Sequence, residues 1–287
     1  MKLCFNESTS KGCSDLEKNI RLCAQAGFEY IELRFDMLYP YLEQHTISDI
    51  KQLFKENNIK PHALNAIYTY ADLFGENDDK ERCHQFLKEF ISACTLAKEL
   101  DSNYIVVVPP MLAGVYTTPY DRDEETCRAD YLRIAKRLGE IAADYGVKIG
   151  LEPVGAPKCS VKTIAMTDSI IKEIDKPNVG ITLDSYNLYM AYMDSRYEDI
   201  ALLDPEKIFV IHINNADATG PSLEARCMCD QGVIDLSRFL EPLKAKGYDG
   251  MVSLEVFRPE YWAMKPEEMI PMAYETTRKV LEENGCL

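Results

Sequence analysis

The chain has 287 residues, 46% of them hydrophobic, and a formal net charge of −15 at pH 7. This acidic balance argues against nucleic acid as a partner, because phosphate binding depends on lysine and arginine, and no apolar run reaches the roughly 20 residues that cross a bilayer. Asn6 and Glu7 interrupt the first apolar run, which argues against an export signal, and the ten scattered cysteines are typical of reduced thiols in a cytoplasmic protein.

Short apolar runs alternate with longer amphipathic segments along the whole chain. Eight runs are predicted strands: residues 2–6, 30–34, 60–65, 104–108, 148–152, 179–184, 208–213 and 250–255. Most of them are continuously apolar, as expected of parallel strands that are covered on both faces. The predicted helices are residues 15–26, 48–57, 79–100, 122–145, 163–174, 197–203, 236–246 and 266–284.

Eight strand and helix pairs predict a (β/α)8 barrel, the TIM barrel, whose typical length is about 250 residues. The competing fold is a doubly wound open sheet, which usually has a glycine-rich phosphate turn after its first strand. The segment from Asn6 to Gly12 lacks the G-x-G-x-x-G pattern of that turn. Because no linker rich in proline, glycine or serine divides the chain, residues 1–287 are predicted to form a single domain.

Four polar residues stand at the ends of four successive predicted strands: Glu152, Asp184, His212 and Glu255. The carboxyl ends of the strands form the active site in this fold, so the four side chains are expected to meet there. Three carboxylates in an apolar neighbourhood would repel one another and lose hydration unless a cation lies among them. Each residue alone has a structural explanation, but strand interiors avoid Asp and Glu, and the joint placement favours a metal site.

The predicted cofactor is one divalent metal ion. Three oxygen ligands and a single imidazole suit Mn²⁺, with Mg²⁺, Co²⁺ and Zn²⁺ as alternatives. The two remaining positions of a six-coordinate ion would accept adjacent oxygens of a hydroxy-ketone, which indicates proton abstraction next to a carbonyl. Glu152 and Glu255 are then the predicted acid/base pair, whereas Asp184 and His212 act chiefly as ligands.

The strand ends Leu-Glu-Pro, Leu-Asp-Ser, His-Ile and Ser-Leu-Glu resemble the sugar phosphate isomerase/epimerase superfamily, the xylose-isomerase-like barrels, over nearly the whole chain. The opening Met-Lys-Leu-Cys-Phe-Asn-Glu, the Lys-Pro-His-Ala-Leu-Asn-Ala segment and the final Val-Phe-Arg-Pro-Glu-Tyr-Trp are similar to the inosose isomerases of inositol catabolism. The resemblance implies a metal bound by Glu152, Asp184, His212 and Glu255, both glutamates as proton carriers, and a small keto-cyclitol or keto-sugar as substrate. In such an enzyme the ketone moves to the neighbouring ring carbon through an enediol.

The resemblance also concerns residues around the metal ligands. Arg226 matches an arginine that lies near the substrate in the family, and Arg258 matches one that is either a support for the ligands or part of a salt bridge. Relatives commonly carry His where this chain has Asn187, and a Pro-Gly-Gln/Glu-Gly turn where it begins with Cys229 and Asp230. Because both segments face the substrate in the family, a ketose 3-epimerase or a keto-glycoside lyase is an alternative, and a polyol-binding barrel without turnover is a third.

The predicted substrate-binding residues are Arg226, Asn187, Asn65 and Trp262. Asn65 ends the third predicted strand, where it either donates to a substrate hydroxyl or caps a turn, and strand alternation puts His62 on the opposite face, which predicts a structural role for it. Trp262 and its neighbour Tyr261 either wall the pocket or lie in a dimer interface, which leaves a homo-oligomer open. Glu7 is predicted to line the mouth or to be an exposed loop carboxylate.

Overall fold

The computed structural model describes residues 1–114 and 116–287. Within these ranges a closed barrel is formed by β1 (Lys2–Asn6), β2 (Tyr30–Arg34), β3 (Lys60–Tyr68), β4 (Tyr104–Val108), β5 (Lys148–Leu151), β6 (Val179–Asp184), β7 (Ile208–Ile213) and β10 (Met251–Leu254). Each strand pairs in parallel with its neighbours in this order, and β10 pairs with β1 to close the ring. A small antiparallel pair, β8 (Asn215–Ala216) and β9 (Arg226–Cys227), lies outside the barrel. The predicted (β/α)8 barrel is therefore confirmed.

Helices follow the strands, and seven of the eight predicted helices are among them. They are α1 (Leu16–Ala26), α2 (Phe35–Leu42), α3 (Ile47–Asn57), α4 (Lys80–Glu99), α5 (Glu124–Asp144), α6 (Ile164–Ile174), α7 (Ser185–Tyr192), α8 (Leu236–Ala245), α9 (Pro259–Trp262) and α10 (Pro266–Glu283). Short 3-10 turns span Glu7–Ser10, Glu198–Leu202, Pro205–Lys207 and Leu223–Ala225. None of the described helices has the apolar length that a membrane crossing requires.

One predicted helix is replaced by other elements. The segment predicted to be helical over 197–203 forms only the turn Glu198–Leu202, because Asp204 precedes Pro205 and this position disfavours helical backbone. The helix that follows β6 is instead α7, which begins directly after Asp184. The side chain of Asp184 accepts a hydrogen bond from the backbone N–H of Asn187 at 2.7 Å and so caps this helix.

The outer helices are fixed by local sequence signals. The Asp15 side chain caps α1 by accepting from the Lys18 N–H, and the helix ends at Gly27, whose φ of 109° is left-handed and suits glycine. Leu16 and Ile20, four residues apart, are buried on one face. The ring of helices closes where α10 packs on α1.

The two ends of the barrel interior differ in character. A small buried cluster of Ala63, Val106, Phe209 and Val210 fills the interior toward the amino ends of the strands, with Tyr104 packed against it. The polar strand-end residues lie at the opposite, carboxyl end. The apolar layer therefore forms the floor on which the polar site is built.

A bulge in β3 changes which of its side chains face the barrel interior. Ile31 pairs with Pro61 and Leu33 pairs with Leu64, so β3 has one more residue than β2 over the same span. The His62 ring packs edge-on against Tyr104, with centroids 5.5 Å apart, and Tyr104 contacts Phe209 across the barrel. His62 is thus on the interior side together with Asn65, and the prediction of opposite faces is wrong because the extra residue cancels the alternation.

Candidate metal centre

The four polar strand-end residues converge at the carboxyl end of the barrel. Glu152 follows β5, Asp184 ends β6, His212 lies in β7 and Glu255 follows β10. Asp184 and His212 are direct partners in the register of β6 and β7. One ligand atom from each of the four residues lies within 4.8 Å of the others, and all four residues are buried.

The imidazole of His212 turns one nitrogen toward the three carboxylates. Its Nδ1 is 3.4 Å from Oε1 of Glu152, 3.5 Å from Oε2 of Glu255 and 3.9 Å from Oδ2 of Asp184. Among the described residues, this buried nitrogen has no hydrogen-bond partner. A buried imidazole nitrogen without a partner, facing three carboxylates, fits a divalent cation, since both the nitrogen and the negative charges then gain a ligand bond.

Burial and the neighbouring charges shift the pKa values of Glu255 and His212. Burial raises the pKa of Glu255 to about 7, although the charge of His212 opposes the rise. Burial lowers the pKa of His212, but the charges of Glu32 and Glu255 outweigh it and hold the pKa well above its usual value. The negative charge of the carboxylates thus has to be neutralised by protons or by a metal ion.

Glu32, in the middle of β2, contacts the second ring nitrogen of His212, Nε2. Its Oε1 and Oε2 lie 2.9 and 3.2 Å from Nε2 of His212, and the residue is fully buried. Burial raises the pKa of Glu32, but the charge and hydrogen bond of His212 outweigh this and bring it to about 2. The sequence analysis missed Glu32, for which the available signal was one carboxylate inside the apolar run Tyr30–Arg34.

Side-chain amides hold Glu255 in place. Its Oε1 accepts hydrogen bonds from Asn6 at 3.2 Å and from Asn65 at 2.8 Å. Asn65 donates a second bond, of 3.1 Å, to Glu32. The two N–H groups of Asn65 are therefore used within the protein, and β3 continues beyond it to Tyr68 rather than ending there.

Asn187, in the first turn of α7, links three residues of the site. Its side-chain N–H donates to Oε1 of Glu152 at 2.8 Å, and its side-chain oxygen accepts from Arg226 at 3.1 Å. Its backbone N–H donates to Asp184. The structure thus places Asn187, a predicted substrate-binding residue, next to both Glu152 and Arg226.

Arg226, at the start of β9, is buried between two aromatic rings. The guanidinium carbon lies 4.9 Å from the ring centre of Tyr186 and 5.2 Å from that of Phe257, and Nη2 is 3.5 Å from Oδ2 of Asp184. Burial lowers the pKa of Arg226, but the charges of Asp184 and Glu255 outweigh it and raise the pKa. In the described part of the chain its Nε and Nη1 have no partner, so these two groups are free to donate to a bound molecule.

Arg258 has a different environment. Its guanidinium is 3.0 Å from Asp217 and 3.3 Å from Glu260, and it donates to the backbone oxygen of Arg226 at 3.2 Å. Of the two alternatives left open for Arg258, the structure therefore contains the salt bridge, together with a contact that supports the backbone beneath Arg226.

A cavity of about 130 Å³ lies beside the cluster. Its polar wall contains Glu152, Glu255, Arg226, Asn65 and Asn187. Its remaining lining residues are Tyr68, Val108, Met111, Tyr116, Val154, Lys158, Leu223 and Phe257. This combination of an apolar wall with a few convergent polar groups is typical of a site for a small molecule.

Trp262 is not among the residues that line this cavity. Its indole N–H donates to the backbone oxygen of Ser8 at 2.9 Å, and its Cβ lies against Gly12, where an added methyl group would be 2.5 Å away. The indole therefore packs against the segment that follows β1, and a substrate contact of Trp262 stays a prediction. Phe257 and Tyr68 supply aromatic surface at the cavity instead.

Two further sequence predictions are corrected by the structure. Glu7 is neither exposed nor at the mouth, because it is fully buried and accepts hydrogen bonds from Asn19 at 3.0 Å and from the backbone N–H of Arg34 at 2.8 Å. Cys229 and Asp230, where the chain departs from its family, do not line the cavity, whereas Asn187 does. Of the two departures, only Asn187 is therefore in a position to contact a ligand.

Comparisons with known proteins agree with this architecture. The family model for the xylose isomerase-like TIM barrel matches residues 20–280. The chain is 34% identical to an inosose isomerase of Halalkalibacterium halodurans, over 100% of this chain and 99% of that protein, and 36% identical to an inosose isomerase of Bacillus subtilis, over 99% of each. A solved structure described as the IOLI protein with a binding zinc atom superposes with a TM-score of 0.89 at 35% identity and 99% coverage of both chains.

Proposed function

This chain belongs to the xylose isomerase-like TIM barrel family, and we propose that it moves the ketone of an inosose, a 2-keto-myo-inositol, to the adjacent ring carbon through an enediolate. It is an isomerase of the sugar isomerase/epimerase type, as are its full-length relatives named inosose isomerase. The observation that carries the proposal is the buried cluster in which Nδ1 of His212 faces three carboxylates beside a small-molecule cavity.

We assign four residues to the cation: Glu152, Asp184, His212 and Glu255. An oxygen-rich set with one imidazole favours Mn²⁺, and the zinc atom in the solved relative makes Zn²⁺ the second candidate. When bound, the cation would polarise the substrate ketone and stabilise the negative charge of the enediolate.

Glu152 and Glu255 are the proposed proton carriers. One glutamate takes the proton from the hydroxyl-bearing carbon next to the ketone, and the C–H electron pair becomes the double bond of the enediolate. A proton is then returned to the former carbonyl carbon, while the hydroxyl proton moves between the two oxygens.

Other side chains bind and orient the cyclitol. The two nitrogens of Arg226 without a partner among the described residues, Nε and Nη1, would donate to substrate oxygens, and the ion pair with Asp184 keeps the guanidinium in place. Asn187 aligns Glu152 and Asn65 aligns Glu255. Phe257 and Tyr68 would cover the apolar face of the ring.

Product analysis with a panel of substrates tests the proposal. The Mn²⁺-loaded protein should convert 2-keto-myo-inositol to a positional isomer of the ketone, and one deuterium from D₂O should enter at the former carbonyl carbon. Turnover of free ketoses by inversion at carbon 3, or elimination from 3-keto-glycosides, without turnover of the inosose would replace this proposal with the epimerase or lyase alternative.

Two conservative variants separate catalysis from simple binding. Glu152→Gln and Glu255→Gln should each lose at least a hundredfold in kcat while the far-ultraviolet circular dichroism is unchanged. A barrel that only binds polyols would incorporate no deuterium into the bound cyclitol, either as wild type or as a variant.

We also propose a cytoplasmic location for the enzyme. All ten cysteines are free thiols in the structure, and eight of them are buried. Fractionation of cells that produce the full chain should recover it with the cytoplasmic marker enzymes, and recovery in the medium or the membrane fraction would contradict this location.

A further inference from the structure

We propose that Glu32 is the positioning residue of the metal centre: its carboxylate accepts a hydrogen bond from the N–H at Nε2 of His212 and thereby leaves the Nδ1 lone pair directed toward the cation. The proposal rests on the proposed metal site and extends it to a residue on the opposite side of the barrel. Glu32 lies in β2, three strands away from β5 along the ring, and no part of the proposed proton transfer uses it.

The burial of Glu32 requires an explanation. Its exposed fraction is 0%, and an ionised carboxylate loses several kcal/mol on leaving water unless it is paired and hydrogen-bonded. The hydrogen-bond donor beside it is His212, whose Nε2 lies 2.9 and 3.2 Å from the two carboxylate oxygens. A bond of 3.1 Å from Asn65 completes its hydrogen-bonded surroundings.

The geometry fixes which nitrogen of His212 is available to a metal. A neutral imidazole carries one proton, and a carboxylate beside Nε2 holds that proton on Nε2. The lone pair is then on Nδ1, which is the nitrogen that faces Glu152, Asp184 and Glu255. Carboxylates in this position behind a histidine ligand orient the ring and raise its affinity for metal ions.

Glu32 also reaches a second ligand through Asn65. The two N–H groups of that amide donate to Oε1 of Glu32 and to Oε1 of Glu255. One buried carboxylate therefore sets the orientation of His212 directly and that of Glu255 through one amide. Loss of its charge should loosen two of the four ligands at once.

The test compares two buried glutamates by the affinity of the full chain for Mn²⁺. Glu32→Gln keeps the volume and one oxygen acceptor but removes the charge beside His212, and Glu7→Gln makes the same change at a fully buried residue that contacts Asn19 and Arg34 instead. Free Mn²⁺ is measured by electron paramagnetic resonance, and Co²⁺-loaded samples are compared by visible absorption, which reports the ligand field.

The dissociation constant for Mn²⁺ should rise about 10- to 100-fold in Glu32→Gln and less than threefold in Glu7→Gln. The Co²⁺ spectrum should change only in Glu32→Gln. An affinity for Glu32→Gln within threefold of wild type, or an equal loss in both variants, would overturn the role of Glu32. A wild-type protein that binds no Mn²⁺ would overturn the proposed metal site itself.

A measurement on the wild-type protein keeps the inference testable if Glu32→Gln does not fold. In ¹⁵N-histidine protein loaded with ¹¹³Cd²⁺, the cadmium nucleus should couple to Nδ1 of His212, and the proton on Nε2 should resonate far downfield and exchange slowly. Coupling of cadmium to Nε2 instead would show that Glu32 does not set the tautomer.

Discussion

The side-chain amide of Asn187 donates a 2.8 Å hydrogen bond to Oε1 of Glu152, the residue that follows β5. The same amide accepts from Arg226, so one neutral side chain joins a proposed base to the proposed substrate-binding cation. In this chain the link between Glu152 and Arg226 therefore remains uncharged at every pH at which the protein is folded.

Replacing Asn187 should impair catalysis more than folding. Asn187→Leu keeps the volume but leaves Glu152 without its amide donor and Arg226 without its acceptor, and a hydrogen bond to a charged group contributes about 1.5–3 kcal/mol. We expect kcat to fall roughly 10- to 100-fold, measured by initial rates on the inosose. A kcat within threefold of wild type at unchanged Tm would remove Asn187 from the proposed machinery.

The two arginines near the cluster should differ in importance. Arg226→Met removes the buried guanidinium that faces the cavity, and kcat/KM should fall at least a hundredfold. Arg258→Met breaks exposed ion pairs to Asp217 and Glu260, which are worth about 1 kcal/mol or less, so kcat/KM should fall less than tenfold. Equal losses in both variants would contradict direct contact between Arg226 and substrate.

Removal of the metal should lower stability measurably. Binding of a ligand to the folded state alone adds about 2.7 kcal/mol when its concentration is 100 times the dissociation constant. We expect EDTA to lower Tm and added Mn²⁺ to restore it. His212→Gln, which removes the imidazole ligand, should abolish this Mn²⁺-dependent shift, and a variant that retains the full shift would exclude His212 as a ligand.

Glu7 should make the protein less stable as the pH rises. Burial raises its pKa to about 7 from the usual 4.5, and hydrogen bonds from Asn19 and Arg34 oppose the rise only in part. Between these values the folded state binds more protons than the unfolded chain, so the free energy of unfolding falls with rising pH, by roughly 3 kcal/mol.

Urea unfolding of wild type and Glu7→Gln at pH 5 and pH 7.5 measures this dependence. The wild type should lose more stability than Glu7→Gln over the interval, because the uncharged amide does not titrate. The same loss in both proteins would assign the pH dependence to other groups, of which Glu255 is the first candidate.

A methyl group at Gly155 should disturb the site by pushing against the backbone of α7. An added Cβ would lie 2.2 Å from the backbone oxygen of Asn187 and 2.3 Å from the backbone nitrogen of Ala191, and neither backbone atom can move alone. We expect Gly155→Ala to lower the free energy of unfolding by about 1–3 kcal/mol and to reduce kcat by displacing α7. An unchanged Tm would contradict this close approach.

The convergence of the four strand-end residues could be predicted from the sequence, whereas their surroundings could be predicted only in part. Parallel strands end at one face, so Glu152, Asp184 and Glu255 could be brought together from their positions in apolar runs alone. Glu32 could not be assigned to the site from the sequence. It lies inside its strand, and its hydrogen-bond partner His212 is in β7, 180 residues away. The packing of Trp262 could not be predicted for a similar reason, since its contacts with Ser8 and Gly12 depend on how the two ends of the chain meet.

His62 shows a second limit of reading a strand by alternation. Its face depends on pairing between β2 and β3, and a single additional residue reverses the expected direction. The helix α7 was missed because its eight residues, Ser185–Tyr192, are apolar and aromatic without a strong amphipathic period.

The bulge in β3 makes this strand sensitive to length rather than to composition. Deletion of one residue between Pro61 and Leu64 would restore simple alternation along β3. The side chains on one side of the deletion would then turn to the opposite face of the strand. Either His62 would leave the barrel floor or Asn65 would swing its amide into the helical layer and release Glu32 and Glu255 together. Evolution can therefore exchange side chains along this segment far more easily than it can shorten it.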